Sequence, residues 1–136
     1  MKKLMVVLLL SVLLLSGCGK KAISSEGQVS LKIKVVDEMS DKVLFDEEVS
    51  ADKSVKTLAD FLENCPKLKV IMDNGEYGKL IVSMLGLKTE DWNSGPWWVY
   101  SSSDNKMCKD QGICPAASSL EIMDKESFEF KFTNKF

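Results

Sequence analysis

Val29-Ser30-Leu31-Lys32-Ile33-Lys34-Val35 alternates apolar and polar residues without a break. Successive side chains of a strand point to opposite faces, so this stretch predicts a strand with one apolar face. Val43, Phe45 and Val49 repeat the alternation after Met39-Ser40-Asp41, which reads as a turn, and the two runs together predict a β-hairpin. The chain closes on the same pattern, with Phe128, Phe130 and Phe132 alternating with Glu129 and Lys131 in a half-buried strand.

Between these strands the period changes. Val55, Leu58, Ala59, Leu62 and Cys65 recur at spacings of three and four, the stripe of an amphipathic helix. Asp52 or Ser54 is suited to cap its start, and Pro66 ends it by disfavouring helical geometry at Cys65. Leu68 to Met72 suits a short strand and Gly75-Glu76-Tyr77-Gly78 a turn, while Lys79 to Leu85 is an apolar run whose type periodicity does not decide. Trp97 to Ser101 reads as a strand after the breaker Ser94-Gly95-Pro96. Two strands, a helix and several further strands predict an α+β domain, a β-grasp-like mixed sheet with one packed helix.

The opening of the chain reads as an address. Lys2 and Lys3 precede an apolar run from Leu4 to Leu15 broken only by Ser11, which is the pattern of a secretory signal peptide. Twelve helical residues span roughly 18 Å, short of a hydrocarbon core of about 30 Å. The run ends in Leu15-Ser16-Gly17-Cys18, similar to the lipobox of bacterial lipoproteins. The resemblance implies a signal peptide over 1–17 and a diacylglyceryl thioether on Cys18. Residues 18–28 are then the lipidated cysteine and a small, polar tether, and the domain occupies 29–136. The expected location is the cell membrane, lipid-anchored on its extracellular face. Two acyl chains suffice for stable anchoring, whereas one binds only marginally.

Composition narrows the function classes. Removing Lys2 and Lys3 takes the formal charge from −2 to −4, so no basic patch recommends a nucleic-acid partner. The chain has no histidine, which removes the usual general base and the commonest metal ligand. A Cys–His or Ser–His nucleophile pair cannot be assembled from it. The acidic clusters Asp46-Glu47-Glu48 and Glu90-Asp91 read as solvated charge and lack the spaced oxygen ligands of a calcium loop. The expectation is a non-catalytic binding or interaction module without cofactor or metal.

With Cys18 acylated, Cys65, Cys108 and Cys114 remain. A Cys108–Cys114 bridge closes a loop of seven residues and stabilises by about 2.4 kcal/mol in the chain-entropy model, which leaves Cys65 as a buried thiol. The rival pairing joins Cys65 to Cys108 or to Cys114. The strand at 97–101 has its own ambiguity: Trp97 and Val99 share one face, Trp98 and Tyr100 the other. One pair fills the core against the phenylalanines, and alternation does not say which. The other is left for loop, ligand or partner.

Glu76-Tyr77-Gly78-Lys79, the following apolar run to Gly86, Trp97-Trp98-Val99-Tyr100, Gly112-Ile113 and the closing Asp124-Lys125-Glu126-Ser127-Phe128-Glu129-Phe130 carry a resemblance in their order and spacing. The chain resembles the transcobalamin-like C-terminal domain family of Gram-positive lipoproteins over about residues 29–133. The resemblance implies a β-grasp-like fold and contact with a small, corrinoid-like ligand at Trp98, Tyr100, Gly112 and Ile113. It departs from the family where Ser101-Ser102-Ser103-Asp104-Asn105-Lys106 replaces the usual Asn-Gly turn. Two functions follow as expectations: a ligand-binding module serving uptake with a surface transporter, or a protein-interaction module whose aromatic strand docks a partner. The anchor yields a direct test. Cys18→Ser is expected to abolish acyl labelling and membrane retention of the mature chain, and a variant still acylated and processed contradicts the assignment.

Overall fold

The computed structural model describes residues 27–135, so Cys18, the signal peptide and nearly all of the tether lie outside the described residues. Ten short elements follow in order. They are β1 (Gln28–Asp37), β2 (Lys42–Asp52), α1 (Leu58–Glu63), a 3-10 turn (Pro66–Leu68), β3 (Ile71–Gly75), β4 (Gly78–Met84), β5 (Leu87–Lys88), β6 (Trp97–Ser101), α2 (Lys106–Gln111) and β7 (Ser127–Thr133).

The main sheet has the order β2-β1-β7-β6, and a second sheet has the order β3-β4-β5. In the main sheet β2 and β6 run antiparallel to their neighbours, while the central pair β1 and β7 is parallel. This is the expected α+β domain with a β-grasp-like mixed sheet and a packed helix. Central strands are where the alternation is cleanest. Leu31, Ile33 and Val35 of β1 and Phe128, Phe130 and Phe132 of β7 are all buried, with Leu58, Ala59, Phe61 and Leu62 of α1 packed over them. Ile81 and Met84 of β4 close the same core from the second sheet.

The helix is shorter than its stripe. Thr57, not Asp52 or Ser54, is the N-cap, with its Oγ1 accepting from Asp60 N at 3.2 Å. Asp52 Oδ1 instead accepts from Ser54 N at 2.9 Å and forms the turn that leaves β2. Val55 and Cys65 pack against the core from the flanks of the helix, which extends the apolar pattern past both its ends. Leu68 belongs to the 3-10 turn opened by Pro66, and left-handed Lys69 (φ 49°) separates it from β3. The undecided run 79–85 is strand β4, ended by Leu85 and Gly86, both at positive φ.

One end of the main sheet gathers the connections that matter. Parallel pairing makes β1 and β7 start at the same end, and antiparallel β6 finishes there. The connection from β6 to β7, residues 102–126, therefore leaves and re-enters the sheet at the end where the chain first enters it through Gly27.

Candidate functional site

The register of β6 against β7 decides which aromatic pair is interior. Trp98 lies opposite Phe132 and Tyr100 opposite Phe130. Residues directly opposite share a face, and those phenylalanines face the core. Trp98 is accordingly 7% exposed, its ring 4.9 Å from that of Phe132 and its Nε1 donating to Leu87 O at 2.8 Å. The expectation of Trp98 as an open ligand platform is corrected on this ground, since its faces are occupied by the core. Tyr100 packs 5.6 Å from Phe130 and its hydroxyl donates to Pro115 O at 2.7 Å. Burial pushes that hydroxyl up to about 12, so it stays protonated and remains a donor. Tyr100 thus braces the loop beyond it. Trp97 and Val99 point the other way, and Trp97 folds back so that its Nε1 donates to Trp92 O at 3.0 Å.

The 102–126 connection contains α2 and a buried polar hub. Asn105, 1% exposed, is the hub. Its Oδ1 accepts from Cys108 N at 3.1 Å and caps α2, and its Nδ2 donates to Glu121 O and to Glu126 Oε2, both at 2.9 Å. Glu126 Oε2 also accepts from Met123 N at 3.1 Å. Ser102 Oγ accepts from Asn105 N at 3.0 Å and donates to Ser127 O at 2.6 Å. A buried amide and carboxylate are costly unless paired, and these are paired on several sides. Asn105 and Glu126 were not among the expected site residues. The only trace in the sequence is an Asn three residues before Cys108, the spacing of an N-cap.

Beyond the hub, Cys108 and Cys114 are joined by a disulfide, and Cys65 is a buried free thiol that burial holds above its usual pKa. Gly112 ends α2 at φ 73°, a backbone geometry that favours glycine. Ile113 then projects into solvent at 73% exposure. The chain continues through Pro115 to a stretch pinned on α1, with Ala59 N donating to Ala117 O and Leu58 N to Leu120 O, each at 2.9 Å. The β3–β4 turn abuts the same stretch: Lys79 N donates to Ser118 Oγ at 3.0 Å, and a Cβ on Gly78 would stand 2.9 Å from that of Ala116. This close approach leaves Tyr77 at the turn tip, 83% exposed.

Of the four expected contact residues, Gly112 and Ile113 therefore stand at the surface, Tyr100 supports them through Pro115, and Trp98 lies in the core. Tyr77 is exposed on the turn whose Gly78 abuts Ala116 and Ser118. Such a surface offers apolar and aromatic contact. No group of three acidic or cysteine side chains suited to hold a metal ion occurs among the described residues. The acidic cluster 46–48 is exposed, and Glu48 pairs with Lys125 at 3.0 Å. Asp91 caps its own turn, its carboxyl held below the ordinary range by hydrogen bonds from Ser94 and Asn93.

No protein-family model matches the chain, and no curated protein matches it. Among solved structures it is similar to a putative metal binding protein from Ruminococcus gnavus ATCC 29149, at 18% identity and a TM-score of 0.58, over 79% of this chain and 99% of that one. It is also similar to haptocorrin in complex with Cbi, at 14% identity and a TM-score of 0.58, over 80% of this chain and 26% of haptocorrin. The chain thus spans about a quarter of haptocorrin's length. At these identities the likeness is one of fold.

The two tryptophans separate in a stability measurement. Trp98→Ala is expected to cost about 3–5 kcal/mol, as for large aromatic truncations in a core. Trp97→Ala, on the outer face, should cost clearly less in the same denaturant titration. A larger loss at Trp97 than at Trp98 contradicts the facing.

Proposed function

We propose that this chain is a lipid-anchored extracellular lipoprotein whose domain binds a small molecule without turnover, and that the ligand is of the corrinoid class and destined for uptake. The observation that carries the reading is the braced apex of the β6–β7 connection, where Gly112 and Ile113 project from a disulfide-closed, core-tied loop. An apolar side chain held out on an ordered loop loses little conformational freedom when a ligand covers it, so its burial goes into affinity. Tyr77, exposed on the turn whose Gly78 meets Ala116, supplies a flat aromatic face with a polar tip, a chemistry suited to a large, flat ring system. The shared fold with haptocorrin, whose structure holds Cbi, supports the ligand class. The absence of histidine supports binding over catalysis.

A second reading has its own observation. β6 is an edge strand whose residues Trp97 to Ser101 carry no charge, and no strand pairs with its outer side among the described residues. The opposite edge, β2, bears Lys42, Asp46, Glu47 and Glu48. An uncharged edge is a site for strand addition by a protein partner.

Calorimetry of residues 19–136 against a corrinoid panel distinguishes the two. Saturable binding is expected, with Ile113→Asp weakening it by about tenfold or more, the equivalent of losing the burial of one aliphatic side chain. Heats of dilution only, across the panel, contradict the corrinoid reading and leave strand addition at β6 as the account of the aromatic strand.

A further inference from the structure

We propose that two copies of this chain join at the open β6 edge, by antiparallel pairing of β6 with β6 about a two-fold axis at Val99. The inference names the occupant of that edge and does not depend on the ligand class proposed above. Its first support is the backbone. β6 pairs with β7 on one side only. Alternate residues of a strand turn their N–H and C=O groups away from an antiparallel neighbour. Among the described residues, no loop forms a backbone hydrogen bond with Trp98, Val99, Tyr100 or Ser101 to cover that outer row. Such a row is a template for another strand.

The second support is charge, on both edges and on the strand behind. β6 carries none. A two-fold axis at Val99 sets Val99 opposite Val99, Trp98 opposite Tyr100 and Trp97 opposite Ser101, so only uncharged side chains meet. One strand back on β7, Glu129 lies opposite Ser101 and Lys131 opposite Val99. Lys131 is paired with Glu129 at 3.2 Å and with Glu38 at 3.3 Å. The two Lys131 residues would stand three strand spacings apart, about 14 Å, beyond the screening length of about 8 Å at physiological salt. The other free edge forbids the same pairing. The middle of β2 is Asp46-Glu47-Glu48, and a two-fold axis there sets Glu47 opposite Glu47 and Asp46 opposite Glu48. Like charges directly opposite are destabilising. Pairing β6 with β2 of another copy leaves free edges and grows open chains, whereas β6 with β6 closes at two copies.

The third support is shape. A groove of about 450 Å³ runs beside β6, lined by Val99, Tyr100, Ser101 and Thr133. Its charged groups balance, Glu38 and Glu129 against Lys131 and Lys135. The two-fold register brings Trp97 of the second copy opposite Ser101, at the edge of this groove. Trp97 is held against Gly95 and by its bond to Trp92 O at 3.0 Å, so it arrives as an ordered aromatic, the residue type that anchors interfaces. Five residues a side make a small interface, so the association is reversible and depends on concentration.

The test introduces Val99→Cys, Ser101→Cys or Glu47→Cys into the full chain on intact cells, followed by mild oxidation and non-reducing electrophoresis. Cys65 is buried and Cys108 is bonded to Cys114, so among the described residues the parent chain offers no competing exposed thiol. The account expects a covalent homodimer from Val99→Cys, whose copies meet on the axis within disulfide reach, at several times the yield from Glu47→Cys. Ser101→Cys replaces an exposed side chain and serves if Val99→Cys fails to fold. In this register it lies about 14 Å from its own copy, so it should be joined by a bismaleimide of that reach and not by direct oxidation. A folded Val99→Cys chain that stays monomeric, or that is joined to a different protein, overturns the pairing. Equal homodimer yields at 99 and 47, or a Ser101→Cys chain that the bismaleimide leaves monomeric, overturn it as well.

Discussion

The parallel pairing of β1 with β7 is the constraint on which the rest depends. It joins residues about a hundred positions apart, with Ile33 beside Phe128 and Val35 beside Phe130. Each strand buries one apolar face against α1, so a slip of one residue would turn Leu31, Ile33 and Val35 outward and is excluded energetically. Because parallel neighbours cannot be joined by a tight turn, everything between β2 and β7 serves as a long crossover. The helix, the second sheet and the β6–β7 connection are arranged by that requirement. Its consequence is directional: the β6–β7 connection leaves and re-enters the sheet at the end where the chain enters it.

A connection of this length between two sheet strands would ordinarily carry high conformational entropy. Here it is ordered by a small number of buried polar groups. Asn105 alone satisfies the start of α2, a distant backbone carbonyl at Glu121 and the carboxylate of Glu126. Fully satisfied networks of this kind rigidify their surroundings, and removing one member leaves the others unpaired in a low-dielectric site. The Tyr100–Pro115 hydrogen bond and the Cys108–Cys114 bridge tie the same segment to β6 and to itself. Ile113 is therefore an exposed apolar residue on an ordered support, which is what separates a contact surface from an ordinary surface loop.

The strands β1, β2, β6 and β7 were legible because their alternation is read directly as two faces, and the mixed α+β arrangement followed from element order. The helix was legible as a stripe but not in its bounds, because Val55 and Cys65 belong to the core without belonging to the helix. α2 was not legible. Lys106 to Gln111 is mostly polar, and it is held by a cap and a disulfide rather than by an apolar face. The site was legible in part. Of the residues the resemblance pointed to, Gly112 and Ile113 stand at the surface, while Trp98 is interior. Alternation gives two faces, and only the register against Phe130 and Phe132 says which one is inside. The turn bearing Tyr77 was visible, but its approach to the loop, where Gly78 meets Ala116 and Ser118, has no local signature.

The central claim is that residues 105–114 are folded in advance by the Asn105 hub and hold Ile113 out on a rigid support. Amide hydrogen exchange of the ligand-free domain, compared with Asn105→Ala, measures this directly. The account predicts that the amides of Cys108, which donates to Asn105 Oδ1, and of Lys109, which donates to the Asn105 backbone carbonyl in the turn that this cap holds, are protected in the parent chain. They should lose that protection in the variant while β1 amides keep theirs. Free exchange of both amides in the parent chain, or protection unchanged by Asn105→Ala, would contradict it.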